Sequence, residues 1–288
     1  MAIVGFGSLG TVFAHAARQV GIDPVVCARS PLPGLALRMD GRRHPVPVRV
    51  LTDPDAATPA DWVLLTTKAH DCASTAPWMR RLLHSGSTLV VLQNGVEHAD
   101  HARDLIGPAA FLPGLVYIAA ERLTGGEVRH RRGQDVVVAA GPAGAAFATL
   151  FADSGLTVHQ VPDFTTAAWR KLLGNAAANP ITALTLRRME VMDTSDVRDL
   201  ADQVLHEAAA VGRAAGADLT PADIEATLAF YQGFDATDGT SMLYDRLAGR
   251  PLETDPITGV IVRLGRTLGV PTPVNDILRV LTEAAAPA

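Results

Sequence analysis

Short apolar runs alternate with helical patterns through the first half of the 288-residue chain. Apolar runs bounded by turn residues predict buried strands, and apolar positions recurring every three or four residues predict amphipathic helices. The predicted strands are Ala2–Val4, Pro24–Cys27, Pro45–Leu51, Trp62–Thr66 and Thr88–Leu92, and the predicted helices are Ser8–Val20, Cys72–Leu83 and Glu97–Leu105. Such alternation indicates βαβ units and a parallel sheet covered on both faces.

The pattern changes between residues 111 and 139, where strand-like segments follow one another without helices. We predict strands at Val116–Leu123, Glu127–His130 and Val136–Ala139, separated by glycine-containing turns. This spacing favours an antiparallel extension of the sheet. A helix at Ala143–Phe151 and a strand at Leu156–Gln160 complete the first half.

The second half carries helical spacing only. Two helix starts are marked by threonine before proline, at Thr220-Pro221 and Thr272-Pro273, a cap followed by proline at the first helical position. The predicted helices are Thr165–Ala178, Val197–Ala215, Asp223–Tyr231, Pro256–Leu268 and Val274–Ala285. We therefore predict an α/β domain over residues 1–162 and an all-α domain over residues 163–288.

Composition and charge narrow the classes of function. Hydrophobic residues make up 48% and charged residues 19%, as in folded globular chains. The net charge of −5 and the absence of long Lys/Arg runs argue against a nucleic-acid partner. No apolar run is long enough to span a membrane, and the first strand leaves no room for a signal peptide. Two unpatterned cysteines, Cys27 and Cys72, fit a reducing compartment, so we expect a cytoplasmic protein.

The first turn of the chain carries the sequence Gly5-Phe6-Gly7-Ser8-Leu9-Gly10. In this pattern Gly5 permits the tight turn, Gly7 lets the backbone approach a pyrophosphate, and Gly10 lets the helix pack close to the sheet. An apolar strand precedes the glycines and an amphipathic helix follows them, which is the context the motif needs. The pattern predicts a Rossmann-type dinucleotide-binding domain, with a simple strand-to-helix turn as the alternative.

The end of the second predicted strand bears on the choice of cofactor. NAD-binding proteins usually place an acidic residue there to bind the ribose hydroxyls. This chain has Arg29 and Ser30 instead, and an arginine can pair with a 2′-phosphate. We therefore predict NADP (NADPH) over NAD, while Arg29 as an ordinary exposed loop residue stays open.

Two further strands end on polar residues. Lys68 follows the strand Trp62–Thr66, and Asn94 follows Thr88–Leu92 within Gln93-Asn94-Gly95. Ligands of open α/β sheets bind outside the carboxyl ends of the strands, so both side chains are candidates for the cofactor site. Ordinary turn residues are the alternative.

A polar stripe marks the first predicted helix of the second half. Lys171, Asn175 and Asn179 are spaced by four residues among leucines and alanines, which places them on one helix face. Such a stripe on an apolar helix favours a buried site. A structural polar ladder, or a break at Asn179-Pro180, is the alternative.

Other candidates are weaker. Glu253 and Asp255 can simply favour a helix start. Nine histidines show no metal-binding spacing; His98 and His101 fall on a predicted surface helix, so we predict no metal site. Cys72 lies near a helix start, which can lower a thiol pKa, although a small buried residue is the simpler interpretation.

Taken together, these segments resemble the ketopantoate reductase (2-dehydropantoate 2-reductase) family, and the resemblance runs essentially from end to end. The matching features, in the family's order and at its approximate spacings, are the glycine loop, Arg29, Lys68, Gln93-Asn94-Gly95, the Lys171…Asn175…Asn179-Pro180 segment and Ser241-Met242…Glu253. The resemblance implies an NADPH-dependent reductase of a small 2-oxo acid, with ketopantoate as the expected substrate.

The resemblance also implies roles for individual residues. Lys171 would be the general acid, Glu253 would hold substrate and help orient that lysine, and Ser241 would bind the substrate carboxylate. Asn175, Asn179 and Asn94 would contact the substrate. The cofactor would be bound by residues of the glycine loop and the strand ends, namely Gly5, Gly7, Ser8, Leu9, Gly10, Arg29, Lys68 and Asn94.

Two positions depart from the family pattern, Asp238 and Thr258, where asparagine is expected. A carboxylate at Asp238 would repel an anionic substrate unless it points away or is paired. Reduction of a different 2-oxo acid or of an imine stays open, as does a non-catalytic NADP(H)-binding sensor. The chain is expected to be a monomer or a homodimer.

Overall fold

The structure is a computed structural model that describes residues 1–32 and 34–286. The chain divides into two compact units, Met1–Gln93 with Glu97–Phe164, and Asn94–Val96 with the chain from Thr165 onward. The predicted domain boundary after residue 162 stays a prediction. Residues 33, 287 and 288, which the predicted domains include, lie outside the described residues.

Ten strands form the sheet of the first unit. In chain order they are β1 Ala2–Val4, β2 Val25–Cys27, β3 Ala36–Met39, β4 Arg42–Pro45, β5 Arg49–Leu51, β6 Trp62–Leu65, β7 Thr88–Val91, β8 Ala110–Arg122, β9 Glu127–Ala139 and β10 Thr157–Val161. Six of them lie in the order β5-β2-β1-β6-β7-β8 with every neighbouring pair parallel. This is the dinucleotide-binding strand order, which reverses direction between β1 and β6. The predicted Rossmann-type α/β fold is confirmed.

The parallel strands are apolar at consecutive positions because both faces of the sheet are buried. Ile3, Leu64 and Val90 belong to one core cluster, whereas Val4 and Leu65, the residues that follow two of them, belong to another. Successive side chains of a strand point to opposite faces, so a covered sheet needs apolar residues at both. The helices of this unit are α1 Ser8–Gln19, α2 Ala76–Leu82, α3 His98–Arg103 and α4 Pro142–Leu150.

The antiparallel extension predicted between residues 111 and 139 is confirmed for β8 and β9, and the sheet beyond them is mixed. β8 and β9 are antiparallel, but β9 pairs in parallel with both β3 and β10. The two strands predicted within 127–139 are one 13-residue strand. Gly133 has φ 79°, and a Cβ there would lie 2.0 Å from the Tyr117 carbonyl oxygen, so a glycine lets the strand continue through a register shift.

The single strand predicted at Pro45–Leu51 is wrong. Its two ends belong to β4, which pairs with β3, and to β5, which pairs with β2. Pro45 and Pro47 carry no backbone N–H, and such residues are confined to strand ends and edges. The helix predicted at Cys72–Leu83 likewise begins as a 3-10 turn, Ala69–Thr75, before α2.

The second unit is helical, with no strand in the described residues from 165 to 286. Its helices are α5 Phe164–Ala176, α6 Ala178–Thr185, α7 Ser195–Ala214, α8 Pro221–Gln232, α9 Ser241–Leu247, α10 Val260–Leu268 and α11 Pro273–Ala285, with a 3-10 turn at Met189–Asp193 and a π turn at Asp255–Gly259. Their core is one apolar cluster that includes Trp169, Leu205 and Ile257. Among the helices of the described residues, none combines the length and apolarity needed to cross a bilayer.

Both predicted helix starts are confirmed in position. α8 begins at Pro221 after Thr220, with a capping box to Asp223. α11 begins at Pro273, but the Thr272 side chain makes no capping hydrogen bond there. Instead the two Glu207 carboxylate oxygens accept the backbone N–H groups of Val274 and Asn275, at 3.0 and 2.9 Å.

The single helix predicted to carry all three residues of the Lys171 stripe is wrong. α5 ends at Ala176 and α6 begins at Ala178, so Lys171 and Asn175 lie on one helix and Asn179 on the next. The break precedes Pro180, which has no N–H for the helix ladder and whose ring clashes with the preceding turn. The alternative interpretation, a helix break at Asn179-Pro180, is therefore confirmed.

Candidate active site

The glycine loop between β1 and α1 depends on the absence of side chains. Gly5 has φ 95°, and a Cβ there would lie 2.5 Å from Cγ2 of Thr67. A Cβ on Gly10 would lie 2.5 Å from the Gly5 carbonyl oxygen. The Thr66 hydroxyl donates a hydrogen bond to that same Gly5 oxygen. The loop is thus packed against the end of β6 as closely as backbone allows.

The N-terminus of α1 is left open towards solvent. Its cap residue is Gly7, no side chain accepts from the first-turn N–H groups, and the first turn holds no acidic residue. A Cβ at Gly7 would meet nothing within 4 Å. Ser8 and Leu9 are half-buried in this turn. Free N–H groups at the positive end of a helix dipole favour an anion, and a bare glycine lets one approach. The residues present therefore fit the pyrophosphate of a dinucleotide.

Two of the three predicted cofactor residues at the strand ends, Arg29 and Lys68, lie in the same unit as this loop, whereas the third, Asn94, belongs to the second unit. Arg29 follows β2, and its side chain is 81% exposed with Nη1 3.3 Å from the Asp71 carboxylate. Exposed pairs of this kind contribute little energy, so the guanidinium is available to a phosphate. Lys68 occupies the N-cap position of the 3-10 turn Ala69–Thr75 after β6, without a capping hydrogen bond from its side chain.

Two contacts at this end of the sheet were not predicted from the sequence. Arg122, at the end of β8, donates from Nη1 to the Phe6 carbonyl oxygen of the glycine loop at 3.2 Å. Gln93 donates to the Thr67 carbonyl oxygen at 3.0 Å. Within Gln93-Asn94-Gly95 the sequence predicts Asn94 alone as a site residue.

In the second unit a hydrogen-bonded chain links a lysine, an amide and a carboxylate. Lys171 Nζ donates to Asn94 Oδ1 at 2.8 Å, and Asn94 Nδ2 donates to Glu253 Oε2 at 3.0 Å. Glu253 is 4% exposed and Lys171 is half-buried. Three residues predicted separately, from segments up to 159 positions apart, are thus brought together.

Local features of the sequence explain how this chain forms. Gly95 has φ 100°, and a Cβ there would lie 2.9 Å from the Pro256 carbonyl oxygen, so glycine lets the Asn94 segment meet the turn that follows Glu253. On the other side of Glu253, Arg250 Nε donates to Asp245 Oδ1 at 2.8 Å and fixes the turn after α9. The Asp245 side chain is 10% exposed and the Arg250 side chain 39% exposed, so only the carboxylate of this ion pair is shielded from water.

The predicted substrate residues have different environments. Asn175 is half-buried on α5, and Ser241 is exposed at the start of α9. Asn179 is 3% exposed, and its Nδ2 has no hydrogen-bond partner among the described residues. A buried amide without a partner is costly in a folded protein unless a ligand completes it. The structure thus singles out Asn179 among the three.

Asp238 and Thr258, the two positions that depart from the family pattern, have different environments. Asp238 is half-buried, and its carbonyl oxygen accepts the Met189 N–H at 2.9 Å. Thr258 is fully buried in the π turn, where its hydroxyl donates to the Thr254 carbonyl oxygen.

Two expectations about the histidines and cysteines, the exposure of His98 and the thiol pKa of Cys72, are not met. The surface helix predicted around His98 and His101 is wrong for His98, which is 3% exposed. Across the described chain, no group of three His, Cys, Asp or Glu side chains is placed to hold a metal ion. Burial raises the pKa of the Cys72 thiol, so the lowered pKa considered for it is wrong, and burial raises the pKa of Cys27 to about 12.

The fold and the site define a class: a two-unit oxidoreductase with a Rossmann-type cofactor domain and a helical unit that carries a lysine. Comparison with known proteins agrees. The family profile "Ketopantoate reductase PanE/ApbA" matches residues 1–143, and the profile of its C-terminal part matches residues 163–286. The chain belongs to the ketopantoate reductase family.

Individual relatives cover nearly the whole chain. A 2-dehydropantoate 2-reductase of Mycobacterium tuberculosis is 40% identical over 99% of this chain and 97% of its own length. The crystal structure of a PanE/ApbA family ketopantoate reductase from Ralstonia eutropha has a TM-score of 0.90 at 29% identity, covering 99% of this chain and 98% of that one. A dimeric ketopantoate reductase from Staphylococcus aureus has a TM-score of 0.89 at 25% identity, covering 99% and 97%.

Proposed function

We propose that this protein reduces 2-dehydropantoate (ketopantoate) to pantoate with NADPH, a reaction of pantothenate biosynthesis. The observation that carries the proposal is the chain Lys171–Asn94–Glu253, in a protein of the ketopantoate reductase family. A lysine held by an amide and a buried carboxylate is suited to protonating a carbonyl oxygen, which is the part of the reaction that the protein must supply.

The glycine loop and the open N-terminus of α1 would hold the cofactor pyrophosphate. Arg29 would bind the 2′-phosphate that distinguishes NADPH from NADH, and Lys68 would lie along the cofactor after β6. When bound, NADPH supplies the hydride. The protein's own contribution is position, charge and a proton.

Lys171 would stabilise the negative charge that develops on the substrate oxygen and then transfer one Nζ proton to it, giving a hydroxyl group and a neutral amine. Solvent would return the proton to the amine. One ammonium hydrogen is committed to Asn94 Oδ1, which aims the others. Glu253 accepts from the same amide, and this polarises Asn94 so that its oxygen becomes a stronger acceptor for the ammonium.

The distribution of cationic residues supports this role. Of the 25 Lys and Arg residues, only Lys68 and Lys171 are lysines. Arginine does not deprotonate in proteins, whereas lysine can give up a proton. A chain that uses arginine at every other cationic position retains lysine at the two positions predicted to contact cofactor and substrate.

The substrate would be held by its polar groups. The Ser241 hydroxyl would donate a hydrogen bond to the substrate carboxylate, and Asn175 and Asn179 would line the pocket. The unpartnered Nδ2 of Asn179 supports a ligand contact at that position. Asp238 would have to point away from an anionic substrate or be neutralised.

The first test is a turnover assay on the purified protein. NADPH and NADH are offered with a panel of 2-oxo acids and cyclic imines, and the loss of absorbance is followed. We expect ketopantoate with NADPH to give the highest kcat/KM. A clearly higher value with another 2-oxo acid or an imine would replace the substrate, and complete silence with tight NADPH binding would support a sensor.

The second test replaces the lysine. Lys171→Ala should lower kcat by about 10²–10⁴-fold, the range of a general acid, while NADPH affinity stays unchanged. Lys171→Arg is the matched control, because it keeps the charge and loses the transferable proton; it should recover substrate binding without recovering turnover. Near-normal turnover in either variant would remove Lys171 from proton transfer.

We further propose that the protein works in the cytoplasm as a monomer or a homodimer on a small-molecule substrate. The dimeric relative from Staphylococcus aureus supports the second of these states. Light scattering of the purified chain at several concentrations separates them.

A further inference from the structure

The Gln93 side chain joins the ends of two strands beneath the predicted cofactor site. It is 4% exposed, and its Nε2 donates to the carbonyl oxygen and the hydroxyl of Thr67, at 3.0 and 3.2 Å. Both partners on that side are oxygens, so the amide must present its NH₂ group to them. The amide oxygen is then turned the other way.

His101 satisfies that oxygen. Its Nδ1 lies 3.0 Å from Gln93 Oε1, and since the oxygen can only accept, Nδ1 carries the hydrogen. The Cys72 thiol donates to the His101 carbonyl oxygen at 3.4 Å, which ties the same helix residue to the turn after Lys68. A donor at position 101 therefore holds the Gln93 amide in the orientation that Thr67 requires.

His98 holds the main chain of the same residue. Its Nε2 donates to the Gln93 carbonyl oxygen at 3.0 Å, and its ring packs edge-on against Phe164 with centroids 5.5 Å apart. The short helix α3 thus directs two histidines, one turn apart, at the side chain and the backbone of one glutamine. Such an arrangement fixes both rotamer and peptide direction.

Thr67 is the point where this network reaches the glycine loop. The Thr67 backbone and Cγ2 are the atoms that a Cβ on Gly5 would strike, at 2.5 to 2.9 Å, so the two segments are in direct contact. The next residue, Lys68, is a predicted cofactor contact. Movement of Thr67 would therefore disturb the loop and the lysine together.

We propose that His101, supported by His98, is a positioning residue for cofactor binding: it locks the Gln93 amide, and Gln93 holds the Thr67–Lys68 turn against the glycine loop. The inference rests on the proposed function only in placing NADPH at this turn. His101 acts through Gln93 and does not contact the reacting atoms.

The experiment measures NADPH affinity directly, by fluorescence titration of the purified protein. His101→Leu removes the donor and leaves the buried Gln93 oxygen unpaired, so Kd for NADPH should rise about three- to tenfold. The kcat at saturating NADPH should stay within about twofold, because Lys171 and its partners are unchanged. His101→Asn places an amide N–H at the position of Nδ1 and should restore the affinity.

A double-mutant cycle with Gln93→Leu tests whether His101 acts on NADPH affinity through Gln93. Once Gln93 is gone, His101→Leu should cost almost nothing more, since residues of one network are not additive. The matched control is His159→Leu, which removes a half-exposed histidine paired with Asp135 elsewhere on the same sheet and should leave Kd unchanged. If His101→Leu does not fold, His101→Asp opposes two acceptors at the same site and should show the loss.

Three results would overturn the inference: an unchanged Kd in His101→Leu, an equal loss in His101→Asn, or full additivity in the cycle. Failure of the wild-type protein to bind NADPH would instead reject the proposed function. The two failures are therefore distinguishable in one titration series.

Discussion

Two helix N-termini of this protein, those of α1 and α11, differ in whether a side chain accepts their backbone N–H groups. At α1 the first turn has a bare glycine as its cap, no capping side chain and no carboxylate. At α11 the Glu207 side chain, from α7, accepts two of the backbone N–H groups and also the Asn275 side-chain amide at 2.8 Å. Both ends present first-turn N–H groups at the positive end of a helix dipole, and they differ in whether a side chain of the protein accepts from those groups.

The comparison shows that a helix end kept free for an anion lacks the stabilisation that a capped helix end has. Glu207 completes α11 with a charge that belongs to the fold, and the contact contributes to stability at all times. The α1 terminus forgoes that contribution, and its donors are completed only when an anion arrives. A helix end left uncapped beside a glycine loop is therefore a binding feature, whereas a capped end is a structural one.

The largest effect on NADPH affinity should come from a substitution that fills the uncapped N-terminus of α1. Gly7→Asp places a carboxylate where the pyrophosphate would lie; two unit charges about 4 Å apart near a surface repel by roughly 4 kcal/mol. NADPH affinity should fall by about a hundred- to a thousandfold, while the thermal midpoint stays level or rises, since aspartate is a favoured cap. Gly7→Ala is the control for bulk alone and should lose much less.

Titration of NADPH fluorescence and a melting curve on the same preparation give both values. Normal NADPH binding by Gly7→Asp would mean that the α1 terminus is not the anion site, and the comparison of the two helix ends would fail.

The sequence was informative wherever the signal is local. The glycine loop is contiguous, and the starts of α8 and α11 are marked within two residues by Thr220-Pro221 and Thr272-Pro273. The spacing of Lys171 with Asn175 and Asn179 and the position of Asn94 at a strand end mark these residues in the sequence, whereas the roles of Lys171 and Glu253 follow from the family resemblance. These roles stay predictions, although the structure brings the side chains of Lys171, Asn94 and Glu253 together.

What the sequence did not reveal depends on partners distant along the chain. His98 and His101 are polar residues on a short helix, and polarity alone favours a surface position; their inward direction follows from Gln93. Glu207 resembles any exposed helix glutamate until α11 is placed 67 positions later. The pairing of β3 with β9 joins segments that no periodicity connects.

The second-largest effect should come from removing the Glu207 carboxylate at the N-terminus of α11. Glu207→Ala leaves the N–H groups of Val274 and Asn275 without their carboxylate, and Asn275 is fully buried. Hydrogen bonds to a charged group contribute about 1.5–3 kcal/mol, so the free energy of unfolding should fall by about 2 kcal/mol, measured by urea denaturation. Glu207→Gln keeps one accepting oxygen and should lose about half as much.

NADPH affinity should be the same in both Glu207 variants, in contrast with Gly7→Asp. A loss of NADPH affinity without a loss of stability in Glu207→Ala would contradict the assignment of this end as structural.

The smallest effect is expected at a third helix start, that of α8, where the Asp223 carboxylate of the capping box titrates. Asp223 accepts from the Thr220 N–H at 2.7 Å and from Arg170 Nε at 2.6 Å. Burial alone would raise the pKa of Asp223, but the hydrogen bonds from Thr220 and Arg170 outweigh it and lower the pKa below the ordinary 3.8. A lowered folded pKa means that the stabilisation is complete above the unfolded pKa and is lost as pH falls through the folded one.

Asp223→Asn should therefore reduce the free energy of unfolding by about 1 kcal/mol at pH 7, the usual contribution of a cap. The gap between wild type and variant should shrink as the pH falls below 3.8, because the wild-type carboxylate gains a proton and becomes neutral, like the asparagine of the variant. Thr220→Ala removes a hydroxyl that accepts the Asp223 N–H and donates to the Asp223 carboxylate at 3.0 Å. Only the second of these bonds involves a titrating group, so part of the cost should persist at low pH. Urea denaturation of the three proteins between about pH 2.5 and pH 7, a range that spans carboxyl titration, measures these gaps. A gap that stays constant for Asp223→Asn would show that the Asp223 charge is not what completes this helix end.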